Sequence, residues 1–228
     1  MQRLLFGPTV LLVASMVHPP HGIDADSWFA AASAGSVRFY LVHLLFLAAA
    51  VAVIPAAEVM ADILRAAGVR RNRAAATLTS VGALGIAAFV GTDLFVWRMA
   101  HGVANRSEML VFLRDAASSP AVVGPMAVLM GAVALGAALF AIQLWRAKAI
   151  GVAPAAMVVV GPLLFGVLPV KAVSVAGAVS LVVGLAAVAR ATGAQKPSAA
   201  EAPSWGRARR TRESQRILSA RVATKGVE

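Results

Sequence analysis

Cysteine is absent from this 228-residue chain. Disulfides, iron–sulfur clusters, thiolate zinc sites and haem attachment through Cys-x-x-Cys-His are thereby excluded. Charge is also scarce. Only 14% of the residues are charged, against about a quarter in an ordinary soluble domain. Tyrosine occurs once. The chain has no phosphate-binding loop, nucleophile elbow or His-Glu-x-x-His. Nor does it show the alternating ten-residue segments of a membrane β-barrel.

Apolar residues fill the space that charge leaves, at 60% of the chain. They come in runs of roughly twenty residues with the charges between them, the pattern of bilayer-crossing helices. The expected fold is all-α, a polytopic membrane bundle of six helices over residues 1–191. Its spans are 4–18, 39–64, 74–97, 121–144, 153–168 and 172–189. The first run is short, contains Pro8 and also fits a signal peptide; it is read as a retained helix. Pro55 is expected to kink the second span. Ala132 and Gly136 stand four apart, a small-residue contact surface for a neighbouring helix. Two short helices are expected between spans. One covers Trp28 to Ala34, capped by Asp26 or Ser27 and ended by Gly35; the other starts at Ser107 and lies on the surface. Residues 192–228 read as a basic, disordered tail.

Basic residues set the orientation. Six spans place both termini on one side, and that side carries sixteen of the 21 Lys and Arg residues. The positive-inside rule then puts both termini in the cytoplasm. The net charge of +11 sits in turns and tail around apolar helices, so the expected partner is lipid and not nucleic acid. Arg207, Arg209, Arg210, Arg212 and Arg216 are the expected contacts to anionic head groups.

Few residues can carry chemistry. His43 lies inside the second span, and Asp93 is the acid set deep in the third. Each is about 6 Å below the outer end of its span at 1.5 Å per residue, so antiparallel neighbours bring them to one level. Such a pair fixes helix register, relays protons or anchors a ligand. His18, His21, Asp24 and Asp26 form a second group that can approach zinc or copper from one loop, although their spacing matches no specific site. A haem between His43 and His101 is the redox alternative; the base expectation is no cofactor. Pro55 and Pro162 suit the broken helices of a transporter, but no inverted repeat accompanies them.

The segments His18-Pro-Pro, Trp28, Arg38-Phe-Tyr-Leu-Val-His43-Leu-Leu and Pro55-Ala give the chain a further reading. Over roughly residues 4–146 it resembles a group of uncharacterised multi-pass bacterial membrane proteins with a short first helix ending in His-Pro. The resemblance implies a bacterial cytoplasmic-membrane address and a retained first helix, and no activity. The functional expectation is a non-enzymatic membrane component that binds a partner, lipid or small ligand at its outer face. The alternatives are a haem protein using His43 and His101, or a small proton-coupled transporter using His43 and Asp93.

Overall fold

The computed structural model describes residues 2–20, 22, 24–69, 72–102, 105–167 and 171–194. Every regular element among them is a helix: α1 (Gln2–Val17), α2 (Ala25–Ala34), α3 (Ser36–Ala66), α4 (Asn72–Ala100), α5 (Arg106–Ser118), α6 (Pro120–Arg146), α7 (Val152–Val167) and α8 (Lys171–Ala194). The basic tail, with its five expected lipid-contact arginines, lies outside the described residues.

Among the described residues, four helical segments are long and apolar enough to cross a membrane: Val37–Ala66, Arg73–Ala100, Pro120–Arg146 and Lys171–Gly193. α1 and α7 are apolar but shorter. At 16 residues each they extend about 24 Å, short of a hydrocarbon core of about 30 Å. α3 overruns its expected span at both ends and remains helical through Pro55.

Polarity of packing follows from two hydrophobic clusters. Leu4 of α1, Leu64 of α3, Ala75 of α4, Leu144 of α6, Ile150 in the following turn and Val188 of α8 share one cluster. Phe29 and Ala32 of α2, Phe39 of α3 and Val96 of α4 form another. The start of α4 therefore meets the end of α3, and the end of α4 meets the start of α3. The two helices run antiparallel, α1 packs on α3, α6 on α4 and α7 on α6.

Backbones come close where side chains vanish. A Cβ on Gly136 of α6 would lie 2.7 Å from the Thr79 nitrogen and 3.0 Å from the Ala75 oxygen of α4. The Thr79 hydroxyl turns back to donate to the Ala75 carbonyl at 2.8 Å, so it brings no unpaired group into this seam. On the α7–α8 contact, a Cβ on Gly177 would lie 2.7 Å from the Gly161 oxygen, and Ser180 Oγ donates across to the Met157 carbonyl at 3.1 Å. Apolar packing between membrane helices relies on such close approach, because lipid tails already solvate Leu and Val. The opposite faces carry large exposed apolar residues, among them Phe6, Leu84, Phe95, Val128 and Leu135.

Two caps differ from expectation. Asp24, in extended conformation, caps α2 by accepting from the Ser27 amide, so the helix starts upstream of Ser27. Asn105, not Ser107, caps α5; its Oδ1 accepts from the Ser107 amide at 3.2 Å, and its Nδ2 donates to Glu108 at 3.2 Å. In both cases the residue just before the first helical turn presents an oxygen to an orphan N–H.

Gly136→Ala is expected to lower stability by about 1–3 kcal/mol through overpacking. Gly131, whose added Cβ meets nothing within 4 Å, is expected to accept Ala within about 0.5 kcal/mol. Thermal unfolding of the two variants in one detergent checks the contrast.

Candidate functional site

His43 sits on the second turn of α3, seven residues after Ser36, and Asp93 seven residues before Ala100 of α4. Seven residues correspond to about 10 Å of helix, so the antiparallel pair brings the two to one level. His43 Nε2 lies 3.1 Å from Asp93 Oδ2. Both side chains are buried, His43 at 2% and Asp93 at 5% exposure. The other ring nitrogen, Nδ1, lies 2.7 Å from the Phe39 carbonyl one turn earlier. A carbonyl only accepts, so Nδ1 carries a proton and donates. The imidazole thus has both nitrogens engaged.

Aromatic rings enclose this pair. Phe39 stacks on His43 with centroids 4.1 Å apart, and Phe46 meets it edge-on at 5.9 Å. Phe165 of α7 closes on Phe46 at 5.9 Å. His18, just past the end of α1, stands edge-on to His43 at 5.2 Å and also contacts Phe46 at 5.5 Å. The adjoining Val17 carbonyl, at the α1 terminus, accepts from Arg38 Nε at 2.6 Å. A guanidinium there satisfies an orphan carbonyl and opposes the negative end of the helix dipole.

α2 and α5 cover this end of the bundle. Phe29 and Ala32 of α2 pack onto Phe39 and Val96, with Met109, Leu110 and Leu113 of α5 alongside. The Arg106 guanidinium lies 5.2 Å from the Phe29 ring centre. Arg114 clamps the two helices, donating to both Asp26 oxygens at 2.9 and 2.5 Å. That hydrogen bond, followed by the opposite charge, holds the Asp26 carboxyl below its usual range and raises Arg114. Asp24 is lowered by the Ser27 amide it accepts from, then by the Ser27 hydroxyl.

α5 has a second face. Val111 and Phe112 are 62% and 61% exposed. With Ser107, Glu108 and Asp115 they line a shallow concavity of about 450 Å³. Apolar centre and acidic flanks point the same way.

The predicted metal group is divided by these contacts. His18 turns to His43, Asp24 caps α2 and Asp26 binds Arg114; His21 lies outside the described residues. Among the described residues, no three potential metal ligands gather. His101 is exposed, its Nδ1 against the Trp97 carbonyl at 2.8 Å. It stacks near Trp97, which in turn meets Tyr40 at 4.8 Å. A haem iron on His43 would have to displace Phe39 or Asp93. Asp62 and Arg65 form an exposed pair at 2.7 Å near the end of α3. Sequence reasoning missed His18 as a neighbour of His43; its position directly after an apolar run was the available signal. Compared with known protein families, curated proteins and solved structures, the chain matches none.

A depressed carboxylate stabilises the folded state above its unfolded value and loses that contribution as pH falls through the folded value. Asp24 and Asp26 are both of this kind. Amides of α2 and α5 are therefore expected to exchange hydrogen normally at pH 5–7 and to lose protection in acid below the ordinary carboxylate range. Asp26→Asn should produce part of that loss at neutral pH. Hydrogen exchange read by mass spectrometry checks both.

Proposed function

We propose that this chain is a six-span, non-enzymatic protein of the bacterial cytoplasmic membrane, with both termini in the cytoplasm, that binds a partner at its outer face. The observation that carries the binding reading is the outward face of α5. A helix whose Met109, Leu110 and Leu113 already pack inward keeps Val111 and Phe112 exposed between Glu108 and Asp115. Its chemistry fits an apolar side chain flanked by cations on another membrane protein. The span count is supported by the alternating directions of α1, α3, α4, α6, α7 and α8; α1 and α7 would cross with thinning of the bilayer around them. The basic tail, through Arg207, Arg209, Arg210, Arg212 and Arg216, would rest on anionic head groups.

A second reading, proton-coupled transport, is favoured by the 3.1 Å His43–Asp93 contact. Proton-driven flux in vesicles, lost in Asp93→Asn, separates it from the first.

The native absence of cysteine makes single-cysteine probes clean. Ser107→Cys is expected to react with a membrane-impermeant maleimide in intact cells, and Lys148→Cys only after permeabilisation. The reverse pattern overturns the orientation. A photo-crosslinking residue at Phe112 should give one discrete adduct, which Glu108→Lys with Asp115→Lys abolishes, while the same probe at Val122 gives none. Equal adducts at both positions, or none at Phe112, overturn the binding reading.

A further inference from the structure

The two bonds of His43 permit a proton count. Nδ1 is spent on the Phe39 carbonyl at 2.7 Å, so Nε2 faces Asp93 Oδ2 at 3.1 Å either as a lone pair or as a second N–H. If the imidazole is neutral and the carboxylate ionised, two lone pairs face each other and a net negative charge is buried. If the imidazole is protonated, Nε2–H donates to the carboxylate. If the acid is protonated, its O–H donates to the Nε2 lone pair. The last two arrangements contain one and the same proton, and both leave the pair electrically neutral. Two acceptors repel at hydrogen-bond distance, so the 3.1 Å contact itself selects an arrangement with a proton between Nε2 and Oδ2.

We infer that His43 and Asp93 hold a single proton in common, forming a proton-binding site within the outer part of the bundle, and that His18 exchanges this proton with the outer surface. The inference is independent of what α5 binds. His18 is suited to the role because it is half-buried and abuts His43 from α1 at 5.2 Å. The other elements at the site bring different groups. α3 contributes Arg38, whose Nε is bound to the Val17 carbonyl, and Tyr40, whose ring lies tilted against Trp97. α4 contributes Asp93 itself and, past its end, His101, bound back to the Trp97 carbonyl. α2 and the loop before it contribute Asp24 and Asp26, which are engaged by Ser27 and Arg114. α7 contributes the Phe165 ring through Phe46. The exchange step moves protons and no electrons: His18 takes a proton from outer water and passes it to the pair, receives the pair's former proton in return and releases it to the same water, so the charges of the pair and of His18 are unchanged.

The arrangement makes the two conservative substitutions unequal. In Asp93→Asn, the new amide N–H donates to the Nε2 lone pair, and no charge is left behind. In His43→Gln, the amide can reach Oδ2, but the proton is gone and a carboxylate is stranded. Asp93→Asn is expected to unfold within a few degrees of the parent, about the size of a neutral exchange. His43→Gln is expected to unfold roughly 10 °C lower at neutral pH, with the gap narrowing in acid, which resupplies the proton. Equal losses without pH dependence overturn the inference. The full-length parent protein in detergent gives a second readout that needs no variant. Infrared and histidine nitrogen resonance spectra should show either a carboxylic-acid carbonyl band or a doubly protonated imidazole, assigned by its disappearance in Asp93→Asn or His43→Gln. A carboxylate beside a singly protonated imidazole overturns the shared proton. For His18, the phenylalanine variant keeps a ring and removes the titrating group. Deuterium uptake by the pair should slow about a hundredfold, the low end for a positioned proton carrier; unchanged uptake overturns its part.

Discussion

In a bundle this apolar, buried polar side chains turn back to a carbonyl of their own helix, as Ser15 and Thr79 do, or meet a polar side chain of another helix. The His43–Asp93 contact joins two ionisable side chains that are both buried. It therefore ties the second turn of α3 to the penultimate turns of α4. A slip of one helical turn, about 5.4 Å, would break it and strand both partners. α1 packs against α3 and α6 against α4, so the register chosen by this bond propagates outward to the neighbours.

The two ends of the bundle are built from different materials. Around Leu64, Ala75, Leu144 and Val188 the cluster is aliphatic apart from Phe140 and Met60, drawn from α1, α3, α4, α6, α7 and α8. Small residues let these helices come close, with Gly136 against α4 and Gly177 against α7. Around Phe39 the cluster is aromatic, capped by α2 and α5, with imidazoles and a carboxylate beneath. Tight aliphatic packing resists rearrangement, whereas short capping helices on a charged clamp belong to the less stable part of a fold. Stability and responsiveness are thus placed at opposite ends of the same helices.

The helices were legible in the sequence because apolar run length is a direct reading of the solvent they face. Level matching of His43 and Asp93 was legible too, since helix rise converts sequence position into depth. The caps were readable only to within two or three residues: Asp24, Asp26 and Ser27 are all good capping residues, and backbone conformation chose among them. Of the loop group His18, His21, Asp24 and Asp26, His21 lies outside the described residues and the other three are engaged separately. Proximity in sequence suggested a shared ligand; in the structure His18 meets His43, Asp24 caps its own helix through Ser27, and Asp26 binds the distant Arg114. Nothing local to Asp26 points to a cation 88 residues away. The engagement of both His43 nitrogens was likewise hidden, because one partner is a backbone carbonyl that every residue possesses.

That same separation between Asp26 and Arg114 has a consequence for assembly. The chain emerges from the ribosome in order, and α2 is made long before its clamp. α3 and α4 lie between the two partners in the chain and are made before Arg114. Until then Phe29 and Phe39 lack the cover of Met109, Leu110 and Leu113. A nascent chain halted between α4 and α5 would display an aromatic patch that the finished protein conceals. Closure of the clamp therefore acts as a chronological marker: it cannot form until the chain through α5 has been made.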